Sequence, residues 1–216
     1  LTATVNGDVT PAEPCSPDMT DPLLTWTKAA HIASQQGSCP QTEPRRGPRV
    51  TIRNLEHMLS PSSVVLVGAS ARSGSVGNLI AKNLVATFPG RIEFINPKGG
   101  IIEGRRVLRS LELLTEPPSL AIVTTPAATI PGIIASLGRL GTRAAVVISA
   151  GIKGELKQAM LDAARPHCLR LMGPNCIGLM LPEKGLNASF SHIAAPKGDL
   201  AFLSQSGALI TGILDW

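Results

Sequence analysis

"SSVVLVGASARSGSVGNLIAKNL", Ser62–Leu84, decides the fold. A run of β-branched and apolar residues, suited to a buried strand, ends at Gly68. A turn carrying Gly74 and Gly77 follows, and then apolar residues recur at helical spacing. Strand, glycine turn and helix in this order open a βαβ unit. At such a turn the unpartnered helix amides and the helix dipole favour an anion, and glycine lets it approach the main chain. Ser70, Ser73 and Ser75 add hydroxyl donors and Arg72 a fixed charge. A phosphate-bearing ligand is therefore expected along residues 68–76.

The spacing is G-x5-G-x-x-G, whereas the dinucleotide fingerprint is G-x-G-x-x-G with an acid closing the second strand. Here the second strand closes on Asn96-Pro97-Lys98. A lysine at that edge favours another phosphate, so a nicotinamide cofactor carrying a 2′-phosphate stays open as one reading.

Outward from this turn the pattern alternates. "LEHML" reads as a lead-in helix, "RIEFIN" as a second strand, and "GRRVLRSLELL" as a short extended piece before a short helix. "SLAIVTT", "RAAVVISAG" and "CLRLMG" read as further strands, separated by helices over "PAATIPGIIASLGRLG", opened by Pro126, and "ELKQAMLDAARPH". The fold class is α/β, a doubly wound parallel sheet with right-handed crossovers. After an irregular stretch around "LPEKGLNASFSHIAAPKG", "DLAFLS" reads as a new strand turning at "QSG" into a helix. That gives three regions: a poorly ordered leader (1–53), the main domain (54–182), and a linker with the first βα unit of a second domain (183–216).

Composition agrees. Hydrophobic residues make up 44% and aromatics only 3%, with no tyrosine, as expected of strands buried on both faces rather than of a base-stacking surface. No nucleic-acid partner is expected. Residues 1–50 hold seven of the eighteen prolines and no sustained periodicity. The net charge of +5 is concentrated in the remainder, which suits small anionic ligands. Cys15, Cys39, Cys168 and Cys176 have neither metal-site spacing nor disulfide-scaffold density, so a reducing cytoplasm is expected, with no metal site in this chain. No run reaches transmembrane length, and no membrane partner is expected. The chain opens on Leu1 and closes within a helical pattern, and it is read as a piece of a longer protein.

The segments "VGASARSGSVG", "INPKGG", "AIVTTPAATIP", "VVISAG", "RLMGPNCIGL" and "GLNASFS…KGDLAFLSQSGAL" occur in order at these strand ends. As a set they resemble the NDP-forming acyl-CoA synthetases, which include ADP-forming acetate–CoA ligases and the α subunit of succinyl-CoA synthetase. The resemblance spans about residues 54–216. It implies a Rossmann-like domain that binds coenzyme A, followed by the start of a flavodoxin-like domain. It implies a parent enzyme, oligomeric and with an ATP-grasp domain or subunit, that joins a short-chain acid to CoA. That reaction uses ATP, giving ADP, with Mg, through an acyl phosphate and a phosphohistidine.

By the same resemblance the coenzyme lies against Gly68, Ser70, Ala71, Arg72, Ser73, Gly74, Ser75 and Val76, and Lys98 meets one of its phosphates. Thr125 and Pro126, then Ile148, Ser149 and Ala150, border it further along. Asn175 lies near its reactive end. Ala150 stands where the succinyl branch carries a glutamate. Ser204, Ser206 and Gly207 would hold the phosphohistidine, which lies outside this chain; no catalytic residue is assigned within it. The set is also similar to the ligase-like half of bacterial protein-lysine acetyltransferases, which would sense acetyl-CoA. His31, His57, His167 and His192 match no family histidine and are read as packing or capping residues. Cys176 is read as packing. The hydrolase elbow G-x-S-x-G is not met, because position 204 is Ser.

Overall fold

The computed structural model describes residues 52–216. The expected leader, with His31, Cys15 and Cys39, lies outside the described residues apart from Ile52 and Arg53. Residues 51–216 make one compact unit.

A short helix α1 (Leu55–Leu59) leads into β1 (Ser63–Val67), α2 (Val76–Thr87) and β2 (Arg91–Ile95). A two-residue strand β3 (Ile101–Ile102) pairs antiparallel with β4 (Arg105–Leu108). Then come β5 (Leu120–Val123), α3 (Ile130–Leu140), β6 (Ala144–Val147), α4 (Gly154–Ala164) and β7 (Arg170–Met172). The sheet order is β3-β4-β2-β1-β5-β6-β7, parallel except for the β3–β4 pair. Successive crossovers run outward in opposite directions from β1 and β5, which makes the gap beyond their carboxyl ends the topological switch point.

The central strands β1, β5 and β6 are buried along their whole length because helices cover both faces. On one face Val64, Leu66 and Phe94 pack with Ile80 and Leu84 of α2. On the other, Val65, Ala121 and Val147 pack with Ile134 and Leu137 of α3 and Met160 of α4. The Rossmann-like reading therefore stands in full for this sheet. No helix among the described residues is long and apolar enough to cross a membrane.

Two expectations need correction. The stretch taken as irregular after residue 181 instead contributes to an antiparallel hairpin, β8 (Gly178–Leu181) with β9 (Leu186–Ser189). It is part of the first face's core: Leu186 and Ala188 are buried there, and the Asn83 amide on α2 donates to the carbonyls of Ser189 (2.8 Å) and Ser191 (3.1 Å). The boundary drawn after residue 182 thus falls inside a hairpin.

"DLAFLS", expected as a strand, pairs with no other strand among the described residues. Without a neighbour there is no ladder, and Leu200 and Leu203 stand 89% exposed. The following helix forms as expected, α5 (Gly207–Asp215), with Ser206 as its N-cap.

Candidate functional site

The carboxyl edge of the sheet is held together by hydrogen bonds that continue one step past the strands. Gly68 N–H donates to Ile95 O (2.9 Å), Thr124 N–H to Val67 O (2.9 Å) and Ile148 N–H to Val123 O (2.9 Å). Beyond β6 and β7, the Ser149 hydroxyl donates to Thr125 O (2.6 Å) and Asn175 N–H to Ser149 O (3.0 Å). Asn175 has φ 58°, a left-handed conformation that asparagine tolerates. The loops bearing Thr125, Ser149 and Asn175 are therefore one connected rim.

The three glycines of the first turn have different duties. Gly68 (φ 97°) faces Thr124, whose Oγ1 lies 2.6 Å from where a Cβ would sit. A Cβ on Gly77 would overlap the Gly68 carbonyl, so Gly77 lets α2 seat directly on the end of β1. Gly74 (φ 73°) has open space where a Cβ would go, and it alone faces outward. Ser75 caps α2, accepting from Asn78 N–H (3.3 Å) and giving its proton to Arg72 O (2.7 Å). Its hydroxyl proton is thus spent inside the turn, which corrects its expected use as a free donor. Ser70 Oγ accepts from Arg72 N–H (3.1 Å), and Ala71, Arg72, Ser73 and Gly74 are left exposed.

Asn96 was noticed in the sequence only as a missing acid. Its amide donates to Ala69 O (2.7 Å), and its Oδ1 accepts from Lys98 N–H (2.9 Å). One side chain thereby ties the glycine turn to the lysine turn. An asparagine two residues before the N–H it captures is an Asx-turn signal that the sequence does contain.

Beside this edge lies a cavity of about 580 Å³. It is lined by Val76, Ile148, Ser149, Ala150, Asn175 and Gly207, all anticipated from sequence. Ser70–Ser75 and Lys98 occupy the same sheet edge outside that lining, as do Thr125 and Pro126, while Ser204 and Ser206 flank the helix start that closes it. Phe190 and His192, from the loop after β9, also line it and were not anticipated, because the hairpin that carries them there was not read. No carboxylate among the described residues lines it. His167, by contrast, packs its ring over Gly138 and serves the fold. No three His, Cys, Asp or Glu side chains among the described residues group as metal ligands.

Cys176 lines the cavity, half-buried, with Sγ donating to Val147 O (3.4 Å). Burial pushes its thiol pKa up, only partly opposed by backbone hydrogen bonds. It therefore stays protonated at neutral pH and is a poor nucleophile, which agrees with a packing role. Iodoacetamide labelling followed by peptide mapping is expected to mark exposed Cys168 before Cys176. Cys176 should gain reactivity only above the ordinary thiol range; faster labelling of Cys176 at pH 7.5 would contradict the role.

Residues 62–182 match the family model described as CoA binding domain. The chain is 39% identical over 168 residues to acetate–CoA ligase [ADP-forming] I of Archaeoglobus fulgidus, covering 75% of this chain and 24% of that protein. It is 35% identical to the α subunit of acetate–CoA ligase [ADP-forming] I of Pyrococcus furiosus, covering 76% of this chain and 38% of the subunit. Among solved structures it resembles the dinucleotide-forming acetyl-coenzyme A synthetase 1 of Ca. Korarchaeum cryptofilum in complex with phosphate and ADP. That match has a TM-score of 0.70 and 32% identity, over 74% of this chain and 36% of that one. The chain thus spans about a quarter to two fifths of the length of these relatives.

Proposed function

The chain belongs to the CoA-binding domain family, and on that premise we propose that it is the coenzyme-holding portion of an ADP-forming acid–CoA ligase, with acetate or another short acid as substrate. The observation that carries the reading is the carboxyl edge itself. An outward-facing glycine and exposed Arg72 and Lys98 lie at one stretch of it, and a cavity lined by no carboxylate among the described residues lies at the other. A ligand with phosphates at one end and a neutral reactive thiol at the other suits that division.

In this reading the pyrophosphate rests against exposed main chain at residues 71–74, helped by the positive end of α2. The pantetheine arm crosses the switch point past Thr125 and Ser149, and its thiol enters the cavity near Asn175. The start of α5 borders the same cavity through Gly207. Its free amides suit a doubly negative phosphoryl group, so Ser204, Ser206 and Gly207 would hold a phosphohistidine supplied by another part of the parent enzyme. ATP, Mg and the ATP-grasp domain or partner subunit belong to that parent, in a reducing cytoplasm. The acetyl-CoA-sensing module and the NADP-binding domain are not favoured by the likeness to ligases.

Calorimetry on the full chain tests the reading. It should bind CoA and show no heat with NADP; the reverse would overturn it. Asparagine tolerates φ 73°, so Gly74→Asn should leave thermal unfolding unchanged while weakening CoA at least about ten-fold. Unchanged affinity would remove the turn from the site.

A further inference from the structure

Resting on the coenzyme reading above, we propose that Arg109 forms, with Lys98, a two-cation clamp for the terminal 3′-phosphate of coenzyme A. Neither the family turn nor any strand-end motif points to this arginine. The sheet register does.

β2 and β4 run parallel, with Ile95 opposite Leu108, so the residues that follow each strand emerge side by side at the carboxyl edge. Asn96–Gly100 follows β2 and Arg109 follows β4. The Asn96 N–H donates to Leu108 O (2.9 Å), locking the two exits together. Arg109 then lies along the lysine turn: its Nε, Cγ and Cδ sit 3.1, 3.4 and 3.8 Å from where a Gly99 Cβ would be. Gly99 (φ 65°) and Gly100 (φ 108°) leave that surface bare. Lys98 and Arg109 are both exposed, and the ion pairs among the described residues involve neither. Arg105 and Arg106 lie earlier in β4, paired with Ile102 and Ile101 of β3, and do not follow the strand as Arg109 does.

Two unopposed cations on one bare turn suit a phosphate monoester, whose second ionisation leaves it close to doubly negative at neutral pH. Arginine contributes a planar fork that meets two oxygens at once, and lysine a point charge. Position selects which phosphate. From β4 to β7 the edge spans five interstrand steps, about 24 Å at the usual spacing of about 4.8 Å. If the thiol occupies the cavity near β6 and β7, the far end of the ligand is the one over β2 and β4. That end carries the 3′-phosphate.

The test compares the full chain with Arg109→Ala and Arg109→Lys, titrating CoA and 3′-dephospho-CoA into each. The unaltered chain should prefer CoA. Arg109→Ala should weaken CoA about ten-fold, the scale of one charge-assisted hydrogen bond, and leave dephospho-CoA within about two-fold. Arg109→Lys should recover part of the loss. A variant that keeps the full preference for CoA, or loses both ligands equally, overturns the clamp and leaves the coenzyme reading intact. An unaltered chain that binds both ligands equally does the same. One that binds neither overturns the coenzyme reading and the clamp together.

Discussion

Gly77→Ala is expected to lose about 3 kcal/mol of folding stability, at the upper end of the cost of forcing an atom into a packed interior. The added methyl would overlap the Gly68 carbonyl and come within 3.3 Å of the Ser70 nitrogen. Both obstacles are backbone, and neither can swing aside. To make room α2 would have to lift off β1, and Ile80 and Leu84 would leave the core with it. Gly132→Ala is the matched comparison. Gly132 is exposed on α3 with open space where a methyl would go, so that change should stabilise by about 0.5–1 kcal/mol. Urea unfolding of the two variants should move the midpoint in opposite directions. A Gly77→Ala chain as stable as the parent would show that the helix does not depend on this close seat.

Lys98→Glu should weaken CoA binding about a hundred-fold, close to 2.7 kcal/mol, while dephospho-CoA loses about ten-fold or less. The substitution removes one cation and sets a carboxylate beside a phosphate, so its effect should exceed that of neutralising Arg109. Lys98 is exposed, so the loss should shrink as salt is raised. Equal losses for the two ligands would assign the lysine to the pyrophosphate, and no loss would take it out of the site.

The larger elements were legible because each has a local signature. β1 is a β-branched run, α2 has helical spacing behind a serine cap, and α3 starts just beyond Pro126. What escaped has no such signature. β3 is two residues long. β9 reads "LNAS", half polar yet buried throughout, because the Ser189 hydroxyl donates to Asn187 Oδ1 (2.7 Å) and accepts from Ser191 N–H (3.2 Å). Polarity satisfied within the strand cannot be told from loop polarity by composition. In contrast, "DLAFLS" has the pattern of a strand and lacks a neighbour to complete it.

The site divides in the same way. That a glycine turn would lie at the carboxyl edge followed from strand–turn–helix order alone. Which glycine faces outward did not, since that depends on Thr124, 56 residues from Gly68. Arg109 reaches the lysine turn only through the β2–β4 register, which no short motif records.

The β8–β9 hairpin has a practical consequence for anyone cloning a minimal version of this protein. A version stopped at residue 182, where the family match ends, would discard β9 and strip the cover from one side of α2. Such a product should come out of expression sticky and protease-sensitive, however well the carboxyl edge of the sheet itself was preserved. Carrying the cut past Ile193, whose carbonyl receives the Ser191 hydroxyl (2.8 Å), keeps that cover in place.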